Sequence, residues 1–543
     1  NHGAIRERVR RWAESYKRHS PRALAELLSF IAEACGCDVE VTVGEVMQDD
    51  PDATVKRVQT EALNGQVTAE DPFTTRRKEY KNFRPNYLEF WDQLVSEAQD
   101  NETLVNDDPF EELINYITCF AQSTIRTCRF TATVTALQLV STFVRVATRL
   151  REARETTQRQ MAAEESKAKS PAQRQNPRLA SLTKSLEALH VRVSSLEALM
   201  KQVFNGVFVQ RYRDIDDHIR VECITAMGKW CSSYSVYFLK DTYLKYIGWS
   251  LNDKEPLVRI AALAALQVLY DFEQNFAPMD TFTARFYERV LQMVDDVDPV
   301  VAVKALGVLT RLVSAELLEP EMIKGCYTLL LDDAPAVRHA AAELVNTFLA
   351  MQSKAKAMLH SSDLAEESMS HLLLLLSEFG DNPKYIPYLV DSLWDKSSAL
   401  KDWKCMIALL LSDEELPDKF ALNLVRVLKS SVMKASGGSL VPEDPASLSA
   451  PKPAAPKKEL SKQQKEQVAA FKQELTLHLM RSLPQLLRKY QSDPTKASEL
   501  VSLVQYAHIE LYSLKRQDKL LVALLKQIKE SFVRFADPAL LRA

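Results

Sequence analysis

The stretch from Asp253 to Tyr270, DKEPLVRIAALAALQVLY, decides the fold. An aspartate opens it, Pro256 follows, and Val258-Arg259 leads into alanines and leucines at helical spacing. Proline suits the first helical position, because its missing N–H would have no intrahelical partner there. The same order recurs: Asp214 precedes Ile219-Arg220, Asp296 precedes Val301-Ala302, and Asp332 precedes Val337-Arg338. With Asp253 the four aspartates are offset by 39, 43 and 36 residues, and Pro256, Pro299 and Pro335 each sit two residues before their valine. A period near 40 in helical sequence is that of HEAT-type repeats, in which helix pairs bury their apolar faces on their neighbours. The aspartates are expected to cap or complement helix starts, and the alanines to let paired helices approach closely.

Outward from this block the rest of the chain agrees. From Leu24 onward apolar residues recur at i, i+3, i+4 and i+7, with breaks at Asp, Asn and Pro and no alternating strand pattern. Of 543 residues, 46% are hydrophobic, enough for a large core, and only 12 are glycine, too few for an architecture of tight turns. The reading is an all-α, curved HEAT-repeat solenoid. Glu152 to Ala168 and Leu182 to Phe204 are long charged helical stretches parted by a turn with Ser170, Pro171, Asn176 and Pro177, which predicts a projecting helical hairpin. Ala435 to Lys458 is rich in Pro, Ser, Ala and Gly and reads as a disordered linker. The expected division is N-terminal helices (1–75), N-terminal HEAT helices (76–151), hairpin (152–204), HEAT blocks (205–350 and 351–433), linker (434–462) and further HEAT helices (463–543). The apolar pattern is still running at Ala543, so a longer protein is expected.

Composition and motifs exclude several function classes. Eight cysteines are scattered without a CxxC pair, which predicts reduced thiols and no metal. No phosphate-cradling, dinucleotide, zinc-protease, nucleophile-elbow or kinase motif occurs, so neither catalysis nor a cofactor is expected. His218 beside Asp216 and Asp217 resembles an acid/base cluster, but its place in an inter-helix turn predicts capping instead. Phe130 to Leu150 is apolar yet interrupted by Thr, Gln, Ser and Arg, and reads as a buried helix. The basic start, Arg6 to Arg11, lacks the apolar run of a signal peptide. Net charge is −3, so nucleic acid would have to bind local basic patches.

Three ordered blocks, VFVQRYRDIDDHIRVECI (207–224), YLKYIGWSLNDKEPLVR (243–259) and FTARF (282–286), resemble the conserved domain of the stromal-antigen (stromalin) subunits of cohesin. NFRPNYLEFWDQLV (82–95), FTATVTALQLV (130–140) and TTQRQ (156–160) upstream extend the resemblance, as do LVDSLWDKSSALKDWKCMIALLL (389–411) and LPQLLRKYQSD (483–493) downstream. It spans roughly 78 to 543. It implies a non-enzymatic nuclear, chromosomal scaffold that binds the kleisin subunit of cohesin and double-stranded DNA without sequence preference. The cohesin loader and other regulators would dock through short aromatic motifs.

The residues fit that expectation. Asp241, Lys245 and Trp249 fall at i, i+4 and i+8, one stripe along a helix, where a buried face would not align charges with a tryptophan. Tyr212, Arg213, Arg285 and Phe286 match the family positions that complete a composite regulator and kleisin surface, and aromatics interleaved with Arg are typical of interface hot spots. Half-buried packing is the competing reading of Trp249 and Phe286. Arg76, Arg77, Lys78, Lys81 and Arg84, with Tyr80 and Phe83 among them, are expected to meet DNA phosphates, with Lys229, Lys240 and Arg259 as further candidates. Asp391, Trp394, Asp402 and Trp403 are the expected part of a kleisin groove, against core packing. A nuclear-transport receptor usually carries a strongly acidic inner face, and a phosphatase-type scaffold has near-uniform repeats. The basic run argues against the first, and the hairpin and linker against the second.

Overall fold

The protein is described by a computed structural model covering residues 2–64, 71–100, 109–167, 177–360, 364–379, 382–412, 416–441 and 462–535. The hairpin turn at 168–176 and most of the expected linker, 442–461, lie outside these residues. Among the described residues every regular element is a helix and no strand occurs. The helices that carry the argument are α1 (His2–Arg18), α2 (Ser20–Ala34), α3 (Pro51–Asn64), α4 (Phe83–Asp100), α5 (Pro109–Ala121), α6 (Arg126–Lys167), α7 (Pro177–Val203), α8 (Asp217–Ser233), α9 (Asp241–Ser250), α10 (Pro256–Tyr270) and α11 (Phe276–Gln292). Then come α12 (Pro299–Ser314), α13 (Pro335–His360), α14 (Tyr385–Leu393), α15 (Trp403–Leu411), α16 (Asp418–Ala435), α17 (Lys462–Lys489) and α18 (Asp518–Phe535). The chain forms two compact units, 1–290 and 291–543, so the block expected at 205–350 is divided between them.

In the first unit α6 is the central helix, with α4, α5, α7 and α8 against it and α10 against α8. Its most apolar window is 83% buried, which makes it a core helix despite a length and hydropathy sufficient to cross a bilayer. The boundary expected at 151/152 falls inside this one 42-residue helix. Its N-terminal half is core and its C-terminal part, with the first half of α7, is largely exposed. There Leu179 and Val193 are buried and Leu182, Leu186 and Leu189 half-buried, so a thin leucine seam faces the pair's interior. At the hairpin's base the Tyr234 hydroxyl donates to Glu197 Oε1 (2.6 Å) and the Arg151 guanidinium lies over the Tyr234 ring. The crossing of α8 and α10 is close because a Cβ at Gly228 would fall 2.5 Å from that of Ala265. In the second unit α12 packs on α13, and α16 contacts both α14 and α15.

The repeat turn is built differently from the sequence expectation. The register aspartate does not cap the helix; it closes a turn two residues earlier. Asp214, Asp253, Asp296 and Asp332 each accept, on Oδ1, the N–H two residues on, at 2.8–3.0 Å. The cap itself is Asp216 or Asp298, which accept from His218 N (2.9 Å) and Val300 N (2.8 Å). His218 thus serves through its backbone, as the capping reading expected. Six residues after the aspartate an arginine closes the turn from the other side. Nη1 of Arg220, Arg259 and Arg338 donates to the carbonyls of Asp214, Asp253 and Asp332 at 2.7–2.8 Å and more weakly to the next carbonyl. The geometry also occurs at Ser123, whose Oγ accepts from Ile125 N while Arg129 Nη1 donates to the Ser123 and Thr124 carbonyls. Sequence reading missed this fifth copy because Ser replaces Asp.

Candidate functional site

Two consecutive repeat turns of the first unit make a groove. Tyr212, Arg213 and Asp214 come from the segment before α8, and Trp249, Asp253 and Lys254 from the end of α9 and the turn that follows; together they line about 370 Å³. Trp249 is 43% exposed. Its ring lies 6.4 Å from that of half-buried Tyr212, and the buried Tyr246 ring stands edge-on to both, at 5.4 and 4.8 Å. The Lys245 ammonium sits over Trp249 and Tyr246, at 5.4 and 5.0 Å. The stripe of Asp241, Lys245 and Trp249 is therefore on the surface, although Asp241, exposed in the first turn of α9, does not line the groove.

The acids of the groove are already committed. Arg220, with its side chain 6% exposed, donates Nε and Nη2 to the two Asp253 oxygens at 2.8 Å each. Asp214 is held by Arg129 (3.1 Å) and Arg211. Arg213 and Lys254, both exposed, then give the rim a cationic character. Burial works to raise the Asp216 carboxyl, but Arg126 and the N–H groups of His218 and Ile219 outweigh it and hold that group below the usual aspartate range.

Phe286 requires a correction. It is 9% exposed, and a Cβ on Gly248 would lie 2.4 Å from its ring, so the ring is packed into the glycine's space on α9. It supports the helix bearing Trp249 and presents no face of its own, while exposed Arg285 covers it with the guanidinium 5.4 Å from the ring centroid.

The basic run divides in the same way. Arg76, Arg77, Lys78 and Lys81 are exposed on a strap ahead of α4, with a 3₁₀ turn at Lys78–Tyr80. Arg84 instead pairs with Glu222 at 2.7 Å. Lys229 is exposed, and the Lys240 ammonium lies over the Tyr237 ring. Arg259 is withdrawn as a DNA candidate, since its guanidinium donates to the Asp253 and Lys254 carbonyls.

The kleisin set is corrected in part. Trp403 is 7% exposed and edge-on to Phe471 and His478, which is core packing. Asp402 caps α15 by accepting from Cys405 N (3.0 Å), and Asp391 pairs with Lys434. Half-buried Trp394, with Lys401 over its ring, remains near the surface. Residues that sequence reading did not single out include Ile215, 86% exposed and lining the groove, and Arg126, which bonds both Asp71 and Asp216. Arg126 stands three residues after Ser123 in the unrecognised fifth turn, which was the available signal.

Three family models match in order along the chain: the STAG domain over residues 69–185, the stromalin conservative domain over 213–287, and the HEAT-repeats domain of cohesin subunit SCC3/SA over 388–543. The groove residues from Arg213 to Lys254, and the supporting Phe286, fall within the second. Sister-chromatid cohesion protein 3 of Arabidopsis thaliana is 36% identical over 100% of this chain and 49% of its own length. Cohesin subunit SA-3 of Rattus norvegicus is 33% identical over 98% of this chain and 42% of its own. The chain thus spans about half the length of the curated relatives it matches. Among solved structures, cohesin subunit Scc3 from Z. rouxii superposes with a TM-score of 0.77 at 20% identity, over 97% of this chain and 61% of that one, which shows a shared fold. With an all-helical HEAT architecture and these three domains in order, the chain belongs to the stromalin (stromal-antigen) family of cohesin subunits.

Proposed function

We propose that this chain is a regulatory, non-catalytic scaffold of cohesin that supports sister-chromatid cohesion on chromosomes in the nucleus. It holds the kleisin subunit along its helices, duplex DNA on basic surface segments, and short aromatic-containing segments of the loader and other regulators in the Tyr212/Trp249 groove. The observation that carries the reading is the exposure of Trp249 beside Tyr212, above a groove whose acids are neutralised. An indole held at a cationic rim by repeat packing is the kind of anchor on which interface energy concentrates. Kleisin contact would be distributed, because an extended chain along a solenoid buries area in many modest pieces. DNA contact by Arg76, Arg77, Lys78 and Lys81 would be independent of sequence and steeply salt-dependent.

The test is co-purification of the full chain with a kleisin fragment and a DNA duplex. Kleisin is expected to stay bound through a high-salt wash that strips the DNA. Failure to retain kleisin at any salt contradicts the proposal.

A further inference from the structure

We propose that Arg126 is a positioning residue for DNA binding, fastening the strap Asp71–Asn82 to the start of α6 so that its cations are presented in a fixed array. The inference rests on the reading of the run 76–84 as a phosphate-binding surface.

Four exposed cations on a connecting segment repel one another and would extend it unless its ends are fixed. The near end is built around Asp71. Its Oδ1 accepts the Phe73 N–H (2.9 Å), its carbonyl accepts from Thr74 and Thr75 (3.1 and 3.0 Å), and Oδ2 faces Arg126 Nη1 at 3.4 Å. Phe73 then plugs the strap into an aromatic box, with Phe83, Tyr87 and Phe130 at 5.1, 5.4 and 5.5 Å, all edge-on. The Arg126 guanidinium lies 5.4 Å from the Phe130 ring centroid and donates Nε to Asp216, in the turn before α8. At the far end Tyr80 rests on Phe83, at the start of α4. One guanidinium thus joins the strap, the central helix and a repeat turn. A loop ordered beforehand loses less conformational freedom when phosphates bind. Arg126 itself, shared between two carboxylates, is not required to touch DNA.

The experiment measures anisotropy of a labelled 30-base-pair duplex with the full chain across a sodium chloride series, for R126Q, D71N and F73A. Each is expected to bind about three- to tenfold more weakly, the free energy of about one ordering contact. The slope of log K against log salt should be unchanged, because no phosphate contact is lost. D71N is the sharpest arm. Asparagine keeps the acceptor for Phe73 N–H and removes a negative charge near a polyanion, so a purely electrostatic effect would tighten binding, whereas loss of positioning weakens it. Tighter or unchanged binding by D71N overturns the proposal. A slope reduced by about one unit in R126Q also overturns it, by making Arg126 a phosphate ligand. If R126Q fails to fold, D71N and F73A carry the test. Unchanged binding after R76E/R77E/K78E would be a different failure, removing the DNA surface and the inference with it.

Discussion

Trp249 and Phe286 are both large rings, expected on one surface, and the structure separates them. The line of Asp241, Lys245 and Trp249 was legible, because charges in register with a tryptophan mark a solvent-facing stripe. Phe286 was not, since its burial depends on a glycine 38 positions earlier that leaves a ring-sized space on α9. Gly248→Ala is therefore expected to destabilise the chain by about 1–3 kcal/mol through overpacking, read as a lower melting temperature. An unchanged melting temperature would show that Phe286 is free to move, and the outward surface would again include it.

At the scale of the element, the recurring Asp, Pro and Val register revealed which segments are helices and where they begin. It did not reveal how the turns are held, because an aspartate before a helix reads equally as cap or turn until backbone geometry decides. The capping acid two residues later supplies a pH dependence. Asp216 is 12% exposed and its carboxyl is held below the ordinary range, first against burial and then by Arg126, so its stabilisation is present above the unfolded value, near pH 4, and lost as pH falls through the folded one. Asparagine caps about as well as aspartate, so Asp216→Asn isolates the charge. The variant should be less stable at pH 7 by about 1 kcal/mol, allowing for screening, and the difference should shrink as pH falls below the unfolded value and through the lower folded one. A difference constant from pH 7 to pH 3 would mean the Arg126 pair contributes nothing.

For the whole molecule, fold class and family were readable from periodicity and three ordered blocks, while the division at 290/291 was not, because the repeat register continues through it. Contacts joining distant segments, such as Arg126 to Asp71 and Asp216, leave no periodic trace, and Trp403 looked like a surface residue for the same reason, since Phe471 and His478 are far along the chain. Under the proposed reading, what the first unit offers a partner is the exposed Trp249 indole beside a cation-rimmed groove.

The most direct test is anisotropy of a labelled ten-residue peptide carrying two aromatic residues, titrated with the full chain bound to a kleisin fragment, for the wild type and Trp249→Ala. Binding by the wild type and at least a tenfold loss in the variant, with kleisin retention and helical circular dichroism unchanged, is the predicted result. Equal affinity for both proteins would contradict it.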